Sequence, residues 1–353
     1  MDFESKVSKT KRERKIFPVP HSFRERDSIN DDYFDKGYPA LDLQNGKQSP
    51  KQNGIIKMDI QPLRDRRDWF RIDDGYINAI RKKKSLIRSF GREVGHTLPE
   101  GYESAKELVD MMAEHLTQVY PHMFKQDGKH LYNLVSSDKY NLEDPDDDYI
   151  NIAGKLVQED LILIKPKKDL KYYLVAGSLC FPSEWSLLEK IGKNIAEIHS
   201  PVPLLNQNLG PIIDRFLNGI RPGQQYWRIN FLTTSSPRFS QLKNVKGMNT
   251  YQNGDEITKE TVDKLYMRNE RETFTKLPKT GAILFSLKTY ITSFNDLGPI
   301  TAKKLGMLIQ ALPKESIRDY KMWSEEERAC VVNFLFGKAA KYQQTSKKGI
   351  NFK

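Results

Sequence analysis

The sequence predicts an α+β protein, and three observations carry that reading. Two pairs of apolar, β-prone runs are joined by short polar turns: Leu156 to Ile164 with Tyr172 to Cys180 across Lys167–Asp169, and Lys264 to Lys276 with Ala282 to Tyr290 across Pro278–Gly281. A fifth run, Tyr226 to Leu232, follows the Pro222-Gly223 turn. Helical periodicity lies outside these runs and does not alternate with them. The strands therefore pair as hairpins in one mixed or antiparallel sheet with helices on a face.

The remaining elements follow in chain order. Residues 1–55 are rich in Lys, Asp, Gln, Asn, Ser and Gly without a sustained period, which predicts a disordered basic and polar extension. A single domain is expected over 56–343 and a polar tail over 344–353. Residues 73–90 read as one helix. A second begins after Pro99 and Gly101, with Ser104 as its cap, Glu107 three residues later, and Leu108, Met111, Met112 and Leu116 at helical spacing. Tyr120-Pro121 ends it. Residues 125–152 are polar, with an acidic patch at Glu143–Asp148, and read as an irregular crossing loop or a small subdomain. After the first hairpin, Pro182-Ser183 turns the chain into a short amphipathic helix from Glu184, which closes at His199 because Pro201 and Pro203 follow. Further helices are expected at 204–220, 300–312 and 324–342, and a loop at 235–257.

Composition narrows the function. Over 353 residues, 38% hydrophobic and 10% aromatic content suffices for a sizeable core. No apolar run approaches the roughly 20 residues of a membrane helix, and Met1–Lys6 lacks the apolar core of a signal peptide. The two cysteines, Cys180 and Cys330, exclude a disulfide scaffold and a cysteine-rich zinc site and suit a reducing compartment. A cytoplasmic protein is expected; the Lys9–Lys15 basic run also reads as a nuclear-localisation signal. The net charge of +11 invites a nucleic-acid partner, but much of the basic excess sits in that run and in Arg81–Lys84. These read as a solubilising tail and a solvated helix face, so neither nucleic acid nor membrane is expected as a partner. No G-x-G-x-x-G follows a strand and no G-x-x-x-x-G-K-[ST] occurs, which argues against the common dinucleotide and nucleoside triphosphate sites.

Three stretches hold residues able to do chemistry. The Leu179–Pro203 segment places Cys180 and His199, the two common axial ligands of haem iron, at opposite ends of one helical unit. Cys180 closes a hydrophobic strand and reads as core. His199 stands on a corner stiffened by Pro201 and Pro203, which would preorganise its imidazole for metal or haem; the alternative is a helix-terminal histidine that merely caps carbonyls. In the second hairpin, Arg268, Glu270 and Glu272 share one strand face, and Asn269, Arg271 and Thr273 share the other. Charge on both faces fits either an exposed, salt-bridged strand or a polar pocket. Arg228 and Asn230 project together from the preceding strand.

Taken in order, these pieces resemble one family. Met58…Pro62-Leu63…Trp69…Ile72-Asp73…Tyr76, V-Q-E-D (157–160), L-C-F-P-S-x-W (179–185), K-I-G…I-H-x-P-V-P (190–203), L-G-x-x-x-D-R-F (209–216), W-R-x-N (227–230), R-x-E-R-x-T (268–273) and L-P-x-[TS]-G (277–281) are similar to the haem-dependent oxidative N-demethylase alpha-subunit family, over roughly residues 55–325. The resemblance implies a PAS-like antiparallel sheet with flanking helices that holds a b-type haem, with His199 as the proximal iron ligand and Lys288 also on the cofactor. It implies O2 and a small methylamine-type substrate, oxidised to formaldehyde and a primary amine. Arg228, Glu270 and Arg271 are the catalytic candidates. Electrons would come from a separate reductase partner carrying flavin, an iron–sulfur cluster and NADPH. The chain departs from the family pattern at Phe231, Asn269, Glu272 and Lys288, the last standing where arginine is common; a lysine cannot reproduce a bidentate guanidinium contact. Together with the basic extension before residue 55 and the long 125–152 segment, these departures suggest a divergent, eukaryotic member. The alternative is a non-catalytic PAS-like haem or small-ligand sensor, since fold alone does not give function.

Overall fold

The computed structural model describes residues 60–183, 185–200, 210–240, 257–311, 314 and 323–348. The extension expected over 1–55 lies outside them. Among the described residues the strands are β1 (Gln61–Pro62), β2 (Gly95–Thr97), β3 (Phe124–Asp127), β4 (His130–Asn133), β5 (Asp138–Asn141), β6 (Asp160–Pro166), β7 (Tyr172–Ser178), β8 (Gln225–Thr234), β9 (Tyr266–Lys276) and β10 (Ile283–Ser293). Seven build one sheet in the order β1-β8-β9-β10-β6-β7-β2, antiparallel at each described pairing, and β3-β4-β5 form a separate meander. The helices are α1 (Tyr76–Phe90), α2 (Tyr102–Val119), α3 (Tyr149–Leu156), α4 (Leu187–Lys190), α5 (Ile195–Ile198), α6 (Gly210–Gly219), α7 (Pro299–Ala311) and α8 (Glu325–Lys348). The α+β class follows, and both expected hairpins are present. No described helix is long and apolar enough to cross a membrane.

Turn chemistry sets both hairpins. At the β6–β7 end Leu170 takes φ 62° and the Asp169 carboxylate accepts the Lys171 N–H at 3.1 Å. At the β9–β10 end Gly281 has φ 69°, the left-handed conformation a glycine adopts at little cost, and Leu277 N–H donates to Ala282 O at 2.8 Å. That second turn is held from outside. The Glu107 carboxylate, buried on α2, accepts the N–H groups of Lys279 (2.6 Å) and Thr280 (2.8 Å).

The expectation for Ser104 and Glu107 was different. Ser104 lies inside α2 and is buried; Gly101 occupies the cap position with no side-chain bond. Pro99 opens the segment with a short 3-10 turn, so the helix starts two residues before Ser104 and frees Glu107 for the hairpin. Residues 125–152 are also more ordered than the polar composition suggests. Short strands β3 to β5 are anchored by Phe124 and Leu131 in the core, and Asn133 turns the chain by accepting from Val135 N and Ser136 N. The acidic run serves as a cap: Asp148 accepts Ile150 N–H and starts α3. Leu156 therefore ends a helix, and the strand begins at Asp160. In α8 the Ser324–Glu327 capping box starts the helix, which continues through Lys348, beyond Tyr342.

The sheet is covered on both faces. Leu161, Leu163 and Leu284 pack with α1, α2 and α3 in one core. Ile162, Ile164, Phe274 and Ile283 pack with α4, α5 and α6 in another. A third cluster joins α7 and α8 to Met267, Leu265 and Phe294. A central strand so placed is dry on both sides, which is why β9 is buried from Met267 through Thr275.

Glu107 gives a test of the hairpin anchor. Glu107→Ala leaves two turn N–H groups without acceptors and should cost about 1–3 kcal/mol. Urea denaturation of the variant and the wild type measures this; an unchanged midpoint would contradict it.

Candidate functional site

His199 ends α5 at its C-cap. Backbone constraints fix that corner. Gly192 takes φ 82°, which breaks the helix expected from Glu184 to His199 into the single turns α4 and α5. Gly192 N–H donates to Leu174 O (2.8 Å) and Leu174 N–H to Lys193 O (3.0 Å), so the break is stitched to β7. Asn194 and Glu197 form a capping box on α5. His199 Nδ1 then lies 2.8 Å from Ile195 O. A carbonyl only accepts, so the proton is on Nδ1 and Nε2 keeps its lone pair. Burial lowers the imidazole pKa, the Ile195 bond opposes this, and the Lys190 and Arg228 charges add to it. The ring is neutral at physiological pH, the form that ligates iron.

Strands β8 and β9 supply the charges on the same side. Cross-strand register sets Arg228 opposite Glu272 and Asn230 opposite Glu270. Arg228 Nε is 3.5 Å from Glu272 Oε2, and Asn230 Nδ2 is 3.5 Å from Glu270 Oε2. Arg268, with no exposed surface, donates Nε to Glu270 Oε1 at 3.0 Å, Nη1 to Phe239 O at 2.9 Å and Nη2 to Thr289 Oγ1 at 3.1 Å and to Phe181 O. Phe274, Leu287, Phe216 and Ile198 belong to the apolar cluster of this face. Burial pushes the Glu272 carboxyl up to about 7; Arg228 opposes the shift and Glu270 adds to it. A carboxyl so placed exchanges its proton near neutrality.

The five residues expected at the site separate into two groups. His199, Arg228 and Glu270 belong to the face covered by α4–α6. Arg271 and Lys288 register with each other on β9 and β10 and point to the opposite face. Lys288 Nζ contacts Asp73 Oδ2 (2.6 Å), Arg71 O (2.7 Å) and Gln158 Oε1 (3.3 Å). Burial would raise the Asp73 carboxyl, but the Lys288 ammonium, Gln158 and Gly75 N–H together hold it below its ordinary value. Arg271 Nη2 donates to Asp68 O at 2.6 Å. Alternation along a strand dictates this division: residues one apart cannot share a face.

Cys180 is core. It has no exposed surface, its N–H is held by Asp160 Oδ1 at 2.9 Å, and burial pushes the thiol up to about 12. Asp160 is itself paired with the buried Lys83 at 3.5 Å. Arg81–Lys84 is thus not wholly a solvated face, because Lys83 turns inward to Val157 O and Glu159 O. A cleft of about 540 Å³ lies elsewhere, lined by Lys84, Arg88, Asp138, Asp147 and Lys155. The ion pairs Lys84–Asp138 and Lys155–Asp147 cross it, and neither the His199 corner nor β8 or β9 lines it. Glu272 was not among the expected site residues; the signal for it is the strand pairing that sets it opposite Arg228.

An antiparallel sheet covered by short helices thus brings one neutral imidazole and arginine–carboxylate pairs to one face of an α+β domain. Residues 59–331 match the family described as haem-dependent oxidative N-demethylase, alpha subunit-like, and the chain belongs to that family.

Glu272 makes stability depend on pH. The folded chain holds its proton with a pKa of about 7, against an ordinary value of 4.5. This contribution is full below about pH 4.5 and lost as pH rises through about 7, on the order of 3 kcal/mol in total. Glu272→Gln removes the component. Urea midpoints from pH 5 to pH 8 should slope less in the variant; a slope equal to that of the wild type would contradict the assignment.

Proposed function

We propose that this chain is a haem-dependent oxidative N-demethylase-like protein in which His199 Nε2 ligates the iron of a b-type haem. The observation that carries the reading is the Nδ1–H to Ile195 O bond. It fixes the tautomer and ring orientation and leaves a neutral imidazole with a free lone pair, the arrangement by which haem and metal sites prepare their histidines. Among the described residues no three His, Cys, Asp or Glu side chains are placed to chelate a bare metal ion; a haem iron asks the protein for a single ligand.

The surroundings suit a porphyrin. The aromatic and aliphatic side chains around Phe216, Phe274 and Leu287 offer an apolar bed, and Arg228 offers a cation for a carboxylate. We infer a PAS-like core: β7-β6-β10-β9-β8 places the first hairpin beside the last strand, and α4 to α6 connect β7 to β8 across one face. When bound, the haem supplies the redox chemistry by which O2 oxidises an N-methyl group. Formaldehyde takes one oxygen atom and water the other, with two electrons and two protons from a separate flavin, iron–sulfur and NADPH-dependent reductase.

This chain's own residues then bind and orient. Glu270 and Glu272 are the acids of the near face, and a methylammonium substrate needs such a partner once desolvated. Glu272, poised near neutrality, can take the ammonium proton and release the neutral amine. Arg228 keeps Glu272 from rising further and holds positive charge near His199. Arg271 and Lys288, on the far face, support the sheet from behind. A sensor role draws on the same PAS-like strand order, and amine turnover separates the two readings.

Reconstitution with hemin tests the proposal. The wild type should give a Soret band that His199→Ala loses or shifts to that of free hemin. Addition of a reductase, O2 and dimethylamine should yield formaldehyde. Absence of a protein-bound Soret band in the wild type would overturn the haem assignment. Oxygen binding without formaldehyde from any methylamine would favour the sensor.

A further inference from the structure

The corner that carries His199 is tied from outside α5 as well as from within it. Three carbonyls of this segment find donors inside it. Ile198 N–H donates to Asn194 O at 2.9 Å, His199 N–H to Ile195 O at 3.1 Å, and Ser200 Oγ to Glu197 O at 3.0 Å. Ile198 O takes its donor from another helix: Lys190 Nζ, at the end of α4, reaches it at 2.6 Å. A helix of four residues has no further turn to occupy its last carbonyls, so a side chain does it.

The carbonyl that Lys190 holds matters. Ile198 O and the His199 N–H are the two ends of one planar peptide unit. Lys190 holds one end and Ile195 O the other, so the unit directly before the histidine is pinned on both sides. Ile195 O also accepts the ring Nδ1–H of His199 at 2.8 Å. One acceptor therefore serves both the backbone and the ring of His199, and it keeps its place only while the turn stays closed. Lys190 spans the left-handed Gly192 that separates α4 from α5, and its bond closes that bend. Trp185, which packs against the apolar cluster of this face, places the lysine: its ring centre lies 5.6 Å from Nζ. The ammonium so placed also disfavours protonation of His199.

We propose that Lys190 is a positioning residue for His199: by holding Ile198 O across the Gly192 bend, it fixes the orientation and tautomer of the imidazole. The consequence for haem rests on the ligation reading of His199; the geometry does not. With the turn closed, Nδ1–H is tied to Ile195 O and Nε2 offers a lone pair in one direction. With the strap cut, the last turn frays and the ring samples the Nε2–H tautomer, which has no lone pair on that nitrogen.

Two readouts on the full-length protein test this. The first needs no haem. Imidazole 15N shifts of histidine-labelled protein report the tautomer, with the His199 signals assigned by their loss in His199→Ala. The wild type should show Nδ1–H alone. Lys190→Met, which keeps an unbranched stem beside Trp185 but no donor, should show a mixture of tautomers. Lys190→Arg, which retains a cationic donor, should restore the wild-type pattern. The second readout is the rate at which reconstituted protein loses hemin to an excess of a haem-scavenging apoprotein: about tenfold faster in Lys190→Met, as the loss of one charged hydrogen bond implies, and near the wild-type rate in Lys190→Arg. A merely structural cap would lower the melting temperature of Lys190→Met and move neither readout. A wild-type tautomer and hemin-loss rate in Lys190→Met, or Lys190→Arg no different from Lys190→Met, would overturn the proposal. Wild-type protein that takes up no hemin would overturn the haem reading instead, and the tautomer measurement would still decide the role of Lys190.

Discussion

The structure rests on one costly arrangement: a strand whose buried stretch, Met267–Thr275, carries four charged residues, Arg268, Glu270, Arg271 and Glu272, lies at the middle of a sheet covered on both faces. Charges removed from water must find partners or shift their protonation, and the neighbouring elements follow from that demand. Arg268 is held by Glu270, Thr289 and two backbone carbonyls. Glu272 has only Arg228 at 3.5 Å and responds by holding its proton more tightly. Among the described residues Arg271 has one backbone carbonyl and no acid. The strand thus mixes fully compensated charges, which fix register and packing, with under-compensated ones, which are where chemistry or binding is expected.

The His199 corner is built differently. It is made of backbone constraints: a left-handed glycine, two bonds to β7 and a capping box on a four-residue helix. Such a corner holds an imidazole without a long helix to carry it. The electrostatic and backbone halves of the site meet through Arg228, whose charge reaches both His199 and Glu272. A positive guanidinium in that place disfavours protonation of the histidine and favours ionisation of the carboxyl. Both effects are in keeping with the roles proposed for His199 and Glu272.

Much of this was legible in the sequence. The two hairpins and the strand after Pro222-Gly223 follow from alternation and turn residues, and the ordered motifs from Met58 to Gly281 carry the resemblance to the family. The two faces of Arg268–Thr273 were also readable, because a strand's period is two. What could not be read was which face meets His199, since that depends on where α4 to α6 fold back. Arg271, one residue from Glu270, cannot share its face, as alternation alone tells; the placement of Lys288 behind it and of Glu272 beside Arg228 comes only from cross-strand register. Lys83 and Glu107 were hidden for the same reason: a lysine in a basic run or a glutamate after a serine looks solvated or capping until a distant segment, here Val157–Asp160 or the β9–β10 turn, comes to meet it.

Chemical rescue addresses the central claim most directly. His199→Gly, reconstituted with hemin, should lose the wild-type ferrous spectrum and regain it when free imidazole is supplied to the vacated position. If the glycine variant binds haem with the wild-type spectrum in the absence of imidazole, the iron is ligated elsewhere and the corner at His199 is structural.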